Sequence, residues 1–299
     1  MQTRAFARLL WPLIFGTYVA AMIAVATFDA DRLDRWLGPA ALTLILVLVG
    51  LEELLPYRRD WSIRGDRDTW RDIGHSLLYT NVGAMLAQIL FIGGSTALFA
   101  WAGFEGGLGW WPSAAPFAVQ VLLVIALGDL LEYWTHRLTH NVGWLWSLHA
   151  IHHSPVRLST IKAGRHHMVY FLARGLVAWL PLLVLGASRE LILWQVAALS
   201  ATGVLSHANI AFRVPVFIQR LFVTPAYHRI HHSLEMKEGN SNFAVVFPLW
   251  DILFGTHIDP ARTEPAAVGV HRDPIPRSFT AELLSPVTYR RLVRNRLPE

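Results

Sequence analysis

The sequence contains no cysteine. This absence excludes disulfide bonds, iron–sulfur clusters and zinc sites built on thiolates, and it excludes a built-in rubredoxin-like electron carrier. Charged residues are also few: they make up 16% of the 299 residues, whereas 54% of the residues are hydrophobic. This balance is far from that of an ordinary soluble domain, and it predicts a protein whose helices face lipid.

Long stretches without charge predict transmembrane helices. Leu9–Phe28 and Ser76–Phe104 are each long enough to cross about 30 Å of hydrocarbon as a helix. The last two apolar runs are weaker candidates for transmembrane helices, because Arg174 and Pro181 interrupt the first of them. They form either two short transmembrane helices or one helical hairpin that enters and leaves the membrane on the same side. We expect an all-α integral membrane bundle with spans at approximately 9–28, 36–55, 76–103, 112–135, 169–187 and 190–206.

The distribution of arginine predicts the topology. The net charge of +5 comes almost entirely from arginine, and the arginines concentrate in alternate connections between the apolar runs. Since basic loops stay in the cytoplasm, we expect both termini and the active site on the cytoplasmic side. Membrane anchoring accounts for this charge, so no nucleic-acid partner is expected. We expect a single membrane domain over 1–299, with histidine-rich regions at 136–167 and 207–257 forming a cytoplasmic helical cap, and a polar tail at 258–299.

Most of the fourteen histidines are clustered in short motifs. HRLTH begins at His136, HAIHH at His149 and HRIHH at His228. Spacings of three and four residues put side chains on one face of a helix, so each motif presents its imidazoles together. Neutral imidazole is a ligand for iron, copper, nickel and zinc. These histidines are more than one tetrahedral metal needs, and their number suits two metals. The type of ligand does not exclude zinc, although the lack of thiolates in a lipid-embedded chain favours oxygen chemistry.

The histidines outside these motifs carry less information. His207 ends the sixth apolar run on the same side as the motifs, and we expect it to close the metal site from another helix. His166 and His167 are ambiguous between ligands, supporting residues and interfacial residues, with His167 the better candidate. The histidines expected to lie outside the site are His75, His257 and His271.

The motifs and their surroundings resemble the fatty acid hydroxylase/sterol desaturase superfamily. The similarity covers roughly Asp129–Thr256 and includes DLLEYWTHRLTH, WSLHAIHHS, TPAYHRIHHS and NFAVVFPLWDILFGT. The resemblance implies two iron ions, replaceable by zinc in purified protein, that activate O2 to attack an unactivated C–H bond of a lipid. The ligands that the resemblance implies are His136, His140, His149, His152, His153, His228, His231 and His232.

Two positions depart from the superfamily pattern. Related hydroxylases often have a further HxxxH pair before the last motif, whereas here the position four residues after His207 is Ala211. We expect water or Asn209 to fill the ligand position that this change leaves open. The NYG tripeptide of the superfamily reads NFA at 242–244, and alanine lacks the freedom of glycine at positive φ.

Acidic residues near the motifs predict supporting contacts. Asp129 and Glu132 precede His136 by seven and four residues, so they lie on roughly the same helical face. A carboxylate there can hold the distal N–H of a ligand histidine, or it can pair with an arginine such as Arg137. We expect no catalytic residue beyond the metal ligands. The candidate supporting residues are Asp129, Glu132, His167, Asn209 and Asp251.

These features together predict an O2-dependent lipid hydroxylase or desaturase. The same ligand set serves both reactions, and the substrate stays open among acyl chains, sterol-like rings, carotenoids, ether lipids and polar headgroups. The electron donor is expected to be a separate protein, because the HPGG of a fused cytochrome b5 and the GxGxxG of a nucleotide site are both absent. The alternatives from other classes are a metal transporter, which needs ligands near mid-membrane, and a haem membrane cytochrome, which places single histidines within spans.

Overall fold

The computed structural model describes residues 2–28, 33–104 and 106–294. Within these ranges the chain forms helices and no β-strand, and the only extended pairings are two isolated bridges. The expected all-α fold is therefore confirmed. The helices are α1 (Gln2–Phe28), α2 (Leu33–Leu54), α3 (Thr69–Trp101), α4 (Phe117–Asn141), α5 (Gly143–His153), α6 (Met168–Leu185), α7 (Arg189–Ser206), α8 (Val216–Leu221), α9 (Pro225–His231), α10 (Met236–Gly239), α11 (Leu249–Leu253) and α12 (Phe279–Arg294).

Five of these helices are long and apolar enough to cross a membrane. They are α1, α2, α3, α4 and α6. At most a third of the most apolar stretch of each helix is buried inside the protein, so apolar side chains cover much of the outer surface. Lipid is the solvent that such a surface requires. The chain is therefore a multi-pass membrane protein.

α7 has a different character from the five membrane helices. Eleven of its eighteen residues are buried, and it packs against both α2 and α4. Leu193, Ala197 and Leu205 join one apolar core with α1 and α2, whereas Leu191 and Ile192 join a second core with α4 and α6. α7 occupies the expected sixth span, but it is not among the five helices that meet the length and composition for crossing. A full crossing at 190–206 stays a prediction.

Close packing of α4 on α7 fixes the helix that carries the first histidine motif. A side chain at Gly128 of α4 would meet Gln195 of α7, because a Cβ atom there would lie 1.8 Å from the Gln195 Nε2 atom. α6 ends at Leu185, and the following Gly186 has a φ of 105°, which suits the left-handed position after a helix. The Ser188 side chain then accepts a hydrogen bond from the Leu191 amide and caps α7. α6 and α7 consequently form a hairpin.

Each membrane helix has one end in a common polar layer. At the start of α1, the Ala7 carbonyl accepts a hydrogen bond from the Arg213 amide at 3.0 Å. Near the end of α2, the Glu52 carboxylate accepts the Asn209 amide at 2.8 Å. α3 begins in this layer, α4 ends in it, and the α6–α7 hairpin leaves it and returns to it. Glu282 of α12 pairs with Arg165 in the same layer, so the first and the last described helices contact the same face of the bundle.

Candidate metal centre

The histidine motifs meet in the polar layer. α4 carries HRLTH on its last turns, α5 ends with HAIHH, and α9 carries HRIHH together with the residue that follows it. His207 directly follows α7. Nitrogen atoms within each of two groups lie within 4.8 Å of one another: His136, His140, His149, His153 and His231 form the five-histidine group, and His152, His207, His228 and His232 form the four-histidine group.

The five-histidine group is a closely packed set of ring nitrogens. The His149 Nε2 atom lies 3.0 Å from the His136 Nε2 atom and 3.1 Å from the His153 Nε2 atom. The rings of His140 and His231 are 4.7 Å apart between centroids. In the described chain the Nε2 atoms of these two residues are buried without a hydrogen-bond partner. Buried nitrogens are costly without a partner, and a cation at their centre would provide one.

The four-histidine group has the same kind of geometry. The His207 Nε2 atom lies 3.2 Å from the Nε2 atoms of both His152 and His228. The His228 Nε2 atom lies 3.1 Å from the His232 Nε2 atom. All four side chains are buried, although they come from three separate helices. Residues 152 and 232, which are eighty positions apart in the sequence, therefore face one common centre.

The two groups adjoin each other. His152 and His153 are neighbours on α5, yet they belong to different groups; the same holds for His231 and His232. The rings of His153 and His232 stack at 4.3 Å between centroids, with 20° between their planes. Two metals held by the two groups would therefore be near neighbours, which is the arrangement of two-metal catalytic sites.

Backbone carbonyls hold several of the rings from behind. A carbonyl oxygen can only accept, so the imidazole Nδ1 atom must carry the hydrogen, and the Nε2 lone pair faces the group. This arrangement fixes both the tautomer and the ring orientation. The pairs are His136 with Phe243 at 2.7 Å, His231 with Ser241 at 2.8 Å and His207 with Gly203 at 2.7 Å.

Burial keeps these imidazoles neutral. It lowers the pKa of His207 to about 4. Burial also lowers the pKa values of His152, His228 and His232 well below that of free histidine, and neighbouring imidazoles lower them further. Neutral imidazole is the form that binds metal. With no thiolate in the set, the nine nitrogen donors fit two iron or zinc ions.

Asp129 and Asp251 hold a loop rather than a histidine. The Asp251 carboxylate accepts hydrogen bonds from the amides of Phe243 and Ala244 at 2.8 Å each, and from the Tyr227 hydroxyl at 2.6 Å. In the described chain neither carboxylate contacts a ring N–H of the two groups, which was one of the two roles expected from the sequence. They act one step away, because the loop that they hold contains the carbonyls behind His136 and His231. The amides that Asp129 accepts are those of Val245, Val246 and Phe247.

The other candidate supporting residues also have different partners. The Glu132 carboxylate pairs with Arg174 of α6 at 2.7 Å, which is the arginine pairing expected as the alternative, although the partner is not Arg137. The Asn209 side chain forms two hydrogen bonds with the backbone of Arg58 and so connects two loops. It does not lie at the ligand position left by Ala211. His167 caps α6 by accepting the amide two residues later. These contacts are structural.

The NFA segment adopts its turn without glycine. The residue at positive φ is Asn242, at 55°, and alanine at 244 does not need that conformation. Asparagine tolerates the left-handed region better than most residues. Its side chain also accepts the Ile258 amide at 2.8 Å and donates to the Tyr227 carbonyl at 3.2 Å. The departure from NYG therefore leaves the turn intact.

His166 lies against the four-histidine group, although His167 was ranked above it from the sequence. The His166 ring stacks on His152 at 4.0 Å between centroids and on Tyr170 at 5.0 Å. Adjacent histidines point in different directions, and the sequence holds no periodic signal that separates them here. The stack makes His166 a packing support for His152.

A buried ion network behind α5 was not foreseen from the sequence. Glu282 of α12 is fully buried and contacts Arg165 at 2.5 Å and His75 at 2.6 Å. Arg165 also pairs with Asp72 of α3 at 2.6 Å and donates to the Ile151 carbonyl near the end of α5. His75 lies outside the two groups, as expected. The expected polar tail nevertheless contributes a buried carboxylate that supports the histidine helix.

Comparisons with known proteins give the chain its family. Residues 121–256 match the fatty acid hydroxylase family, and these residues contain all nine histidines of the two groups. The ornithine lipid hydroxylase OlsE of Rhizobium tropici is 33% identical over 286 residues, which cover 94% of this chain and 84% of that protein. The resemblance indicated by the sequence motifs is confirmed.

Other relatives match about half of the chain or less. A very-long-chain aldehyde decarbonylase of Oryza sativa subsp. japonica is 30% identical over 147 residues, covering 48% of each protein. An alkylglycerol monooxygenase of Xenopus tropicalis is 25% identical over 130 residues, covering 44% of this chain and 28% of that protein. No solved structure matches the chain. On the histidine geometry, the family match and the near full-length relative, the chain belongs to the fatty acid hydroxylase family of membrane oxygenases.

Proposed function

We propose that this protein is a di-iron membrane oxygenase that hydroxylates a lipid C–H bond with O2 and electrons from a separate protein. The observation that carries the proposal is the convergence of nine buried imidazoles into two adjoining groups. In this proposal, the five-histidine group binds one iron and the four-histidine group binds the other. Zinc binds such donors more tightly than ferrous iron and can replace it in purified protein.

Bound iron would supply the activation of O2, while the chain controls the surroundings of the reaction. Its burial keeps the imidazoles neutral and excludes water. The carbonyls of Phe243, Ser241 and Gly203 keep three rings aimed at the centre. The four-histidine group has one donor fewer, and Ala211 adds none, so more positions remain there for small molecules.

An apolar cavity of about 770 Å³ fits the acyl chain of a lipid. It lies between α1, α4 and α7 and is lined almost entirely by apolar side chains, including Met22, Val121 and Trp194. Val246 and Phe247 line it as well. These two residues belong to the loop whose Phe243 carbonyl holds His136. A lipid in the cavity would therefore lie beside the segment that shapes the metal centre.

We further propose a polar membrane lipid of the ornithine-lipid type as substrate, and hydroxylation rather than desaturation as the outcome. The support is the relative that aligns over 94% of the chain, which is named an ornithine lipid hydroxylase. Both the apolar cavity for chains and the polar layer at one face suit such an amphipathic molecule. Desaturation of a lipid remains the second candidate, because the same histidine set serves it.

The topology supports a cytoplasmic site and a separate electron donor. The polar layer holds the arginine-rich loops, and such loops stay in the cytoplasm. Ala7 of α1 and Glu282 of α12 contact that layer, and these contacts favour both termini on the same side of the membrane. With no cysteine for an iron–sulfur carrier, electrons would arrive from another protein that docks at this face.

The decisive experiment is lipid mass spectrometry. The protein is produced in cells that synthesise ornithine lipids but lack a hydroxylase for them, and total lipids are compared with those of cells without it. We expect a new species heavier by one oxygen atom. A species lighter by two hydrogens would identify a desaturase instead, and an unchanged lipid profile with iron-loaded protein would contradict the proposal.

A further inference from the structure

We propose that a basic pocket beside the histidine layer binds the phosphate group of an anionic membrane lipid. The pocket has a volume of about 200 Å³ and lies between the segment before α3, the turn after α5 and the segment before α12. No histidine of the two metal groups lines it. The charged residues that line it are Asp66, Arg67, Asp68, Arg71, Arg157, Lys162, Arg165, Asp273 and Arg277.

The positive charges in the floor of the pocket are already neutralised. Arg71, Lys162 and Arg165 form this floor and are almost completely buried. Each of them has a carboxylate partner, and Glu282 adds a fourth carboxylate beside Arg71 and Arg165, so the floor adds no net attraction of its own. The partners are Asp68 for Arg71 at 2.7 Å, Asp66 for Lys162 at 2.7 Å and Asp72 for Arg165 at 2.6 Å.

The rim of the pocket carries the unbalanced charge. Arg67, Arg157 and Arg277 come from three separate segments and form no ion pair within the part of the chain that the structure describes. The remaining carboxylate in the lining is that of Asp273, so the rim has an excess of two positive charges. Guanidinium groups around one cavity repel each other unless an anion lies between them. The N–H donors of a planar guanidinium group can form paired hydrogen bonds with phosphate oxygens.

The pocket opens at the level expected for lipid headgroups. Trp70, at the start of α3, is 82% exposed beside it, and tryptophan is enriched at membrane interfaces. On α12, Leu284 and Val287 expose apolar side chains, and Val287 is 87% exposed. Arg290 and Arg291 follow on the same helix. Exposed apolar residues followed by arginines suit a helix at the membrane surface, and a phosphate at that level would belong to a lipid.

An occupant of this pocket would contact the support of the metal centre. Arg165 lies on the floor and also donates from Nε to the Ile151 carbonyl at 3.1 Å. Ile151 immediately precedes His152 on α5. A bound phosphate would therefore add its charge next to the network that holds α5, although the binding itself needs neither metal nor substrate.

The test is lipid binding by metal-free, detergent-purified full-length protein. Native mass spectrometry measures retained phosphatidylglycerol, with phosphatidylcholine as the zwitterionic comparison and inorganic phosphate as the soluble competitor. The double variant Arg157→Gln/Arg277→Gln removes two rim charges from partly or fully exposed positions. Each lost charge-assisted hydrogen bond weakens affinity by about tenfold. We expect phosphatidylglycerol to bind preferentially to the natural chain and this preference to disappear in the variant.

The matched control is Arg290→Gln/Arg291→Gln, which removes the same charge from α12 outside the pocket. It should retain phosphatidylglycerol as the natural chain does. Equal losses in both double variants would show non-specific attraction and overturn the site. Binding of inorganic phosphate without retention of phosphatidylglycerol, when it depends on Arg157 and Arg277, would overturn the lipid as its source. Because the readout is binding, failure here leaves the oxygenase proposal untouched.

Discussion

The two histidine groups are held in different ways. In the five-histidine group, His136, His140 and His231 all contact the segment 240–243, through the carbonyls of Phe243 and Ser241 and the Asn240 side chain. In the four-histidine group, His207 contacts a carbonyl of its own helix, and the Nδ1 atoms of His152 and His232 are buried without a hydrogen-bond partner in the described chain. One group is anchored by a loop, and the other mainly by packing.

This difference predicts two metals with unequal mobility. Partners behind the ring fix a ligand and raise its basicity, and their loss typically costs about 10–100-fold in metal affinity. The five-histidine group has more donors and more such partners. We infer that its metal is the firmly held one, and that the metal of the four-histidine group can adjust its coordination when small molecules bind.

The largest expected effect is the loss of one ligand from either group. Substituting His231 by alanine removes a donor from the five-histidine group, and substituting His152 does so in the four-histidine group. Because oxidation needs both metals, each variant should lose product formation by more than about 100-fold. The measurement is lipid product per membrane-inserted protein, with metal content determined by elemental analysis. We expect about two metals in the natural chain and about one in each variant.

The control for this comparison is His271→Ala, which changes an exposed histidine outside both groups. It should leave product and metal content unchanged. Insertion should persist in all three variants, because the apolar helices and the arginine-rich loops are unaltered. Normal turnover in either ligand variant would remove the assignment of metals to these groups.

A second prediction concerns the support that both groups share. Glu282→Gln keeps the shape of the side chain but removes one of the two carboxylates that pair with each of Arg165 and Arg71. Breaking a buried ion pair costs about 3–5 kcal/mol, so thermal unfolding should occur at a markedly lower temperature. Since α5 supplies ligands to both groups, metal should be lost from both. The measurement is the thermal midpoint with metal content before and after mild heating.

The matched substitution is Glu264→Gln. Its carboxylate pairs with Arg229 at 3.0 Å, but its side chain is 49% exposed. Partly exposed pairs contribute about 0–1 kcal/mol, so this variant should unfold near the natural midpoint. A midpoint for Glu282→Gln that is no lower than that of Glu264→Gln would show that the buried network does not hold α5.

The nine histidines that the sequence singles out are those that the structure brings into the two groups, because spacing along a helix is a local property. His136 and His140 are one turn apart, and each HxxHH triplet lies on one face wherever the helix is placed. Uncharged runs likewise predict membrane helices without any tertiary information. His207 was predicted from its position at the end of an apolar run, and the structure places it in the four-histidine group.

The supporting contacts could not be predicted, because they depend on which backbone groups the fold brings near. Asp129 lies on the helical face expected for holding a histidine, yet it accepts three amides from a loop more than a hundred residues away. Glu282 lies in a segment whose composition indicates a polar tail, and only its contacts with Arg165 and His75 show that it is buried. Periodicity contains no signal for such long-range pairs.

A third prediction tests the unequal mobility directly. When metal-loaded protein is mixed with a chelator at neutral pH, the protein should release its metal in two phases, with rates about tenfold or more apart. The fast phase should belong to the four-histidine group. His152→Ala, which disrupts that group alone, should lack the fast phase and keep the slow one, whereas His231→Ala should lack the slow phase. A single phase in the natural chain would contradict the difference between the groups.

The smallest expected effect comes from the packing behind His152. The His166 ring stacks on His152 at 4.0 Å between centroids and on Tyr170 at 5.0 Å, so we assign it a positioning role. His166→Ala removes the stack, which is worth about 1 kcal/mol, and should lower turnover and metal retention in the four-histidine group by about fivefold. His166→Phe keeps an aromatic ring but no nitrogen, and it should restore both to within about twofold of the natural values. Chelator-release rates measured beside lipid product distinguish this role from ligation. A phenylalanine variant as inactive as His152→Ala would make His166 a tenth metal ligand and would remove the difference in donor number between the two groups.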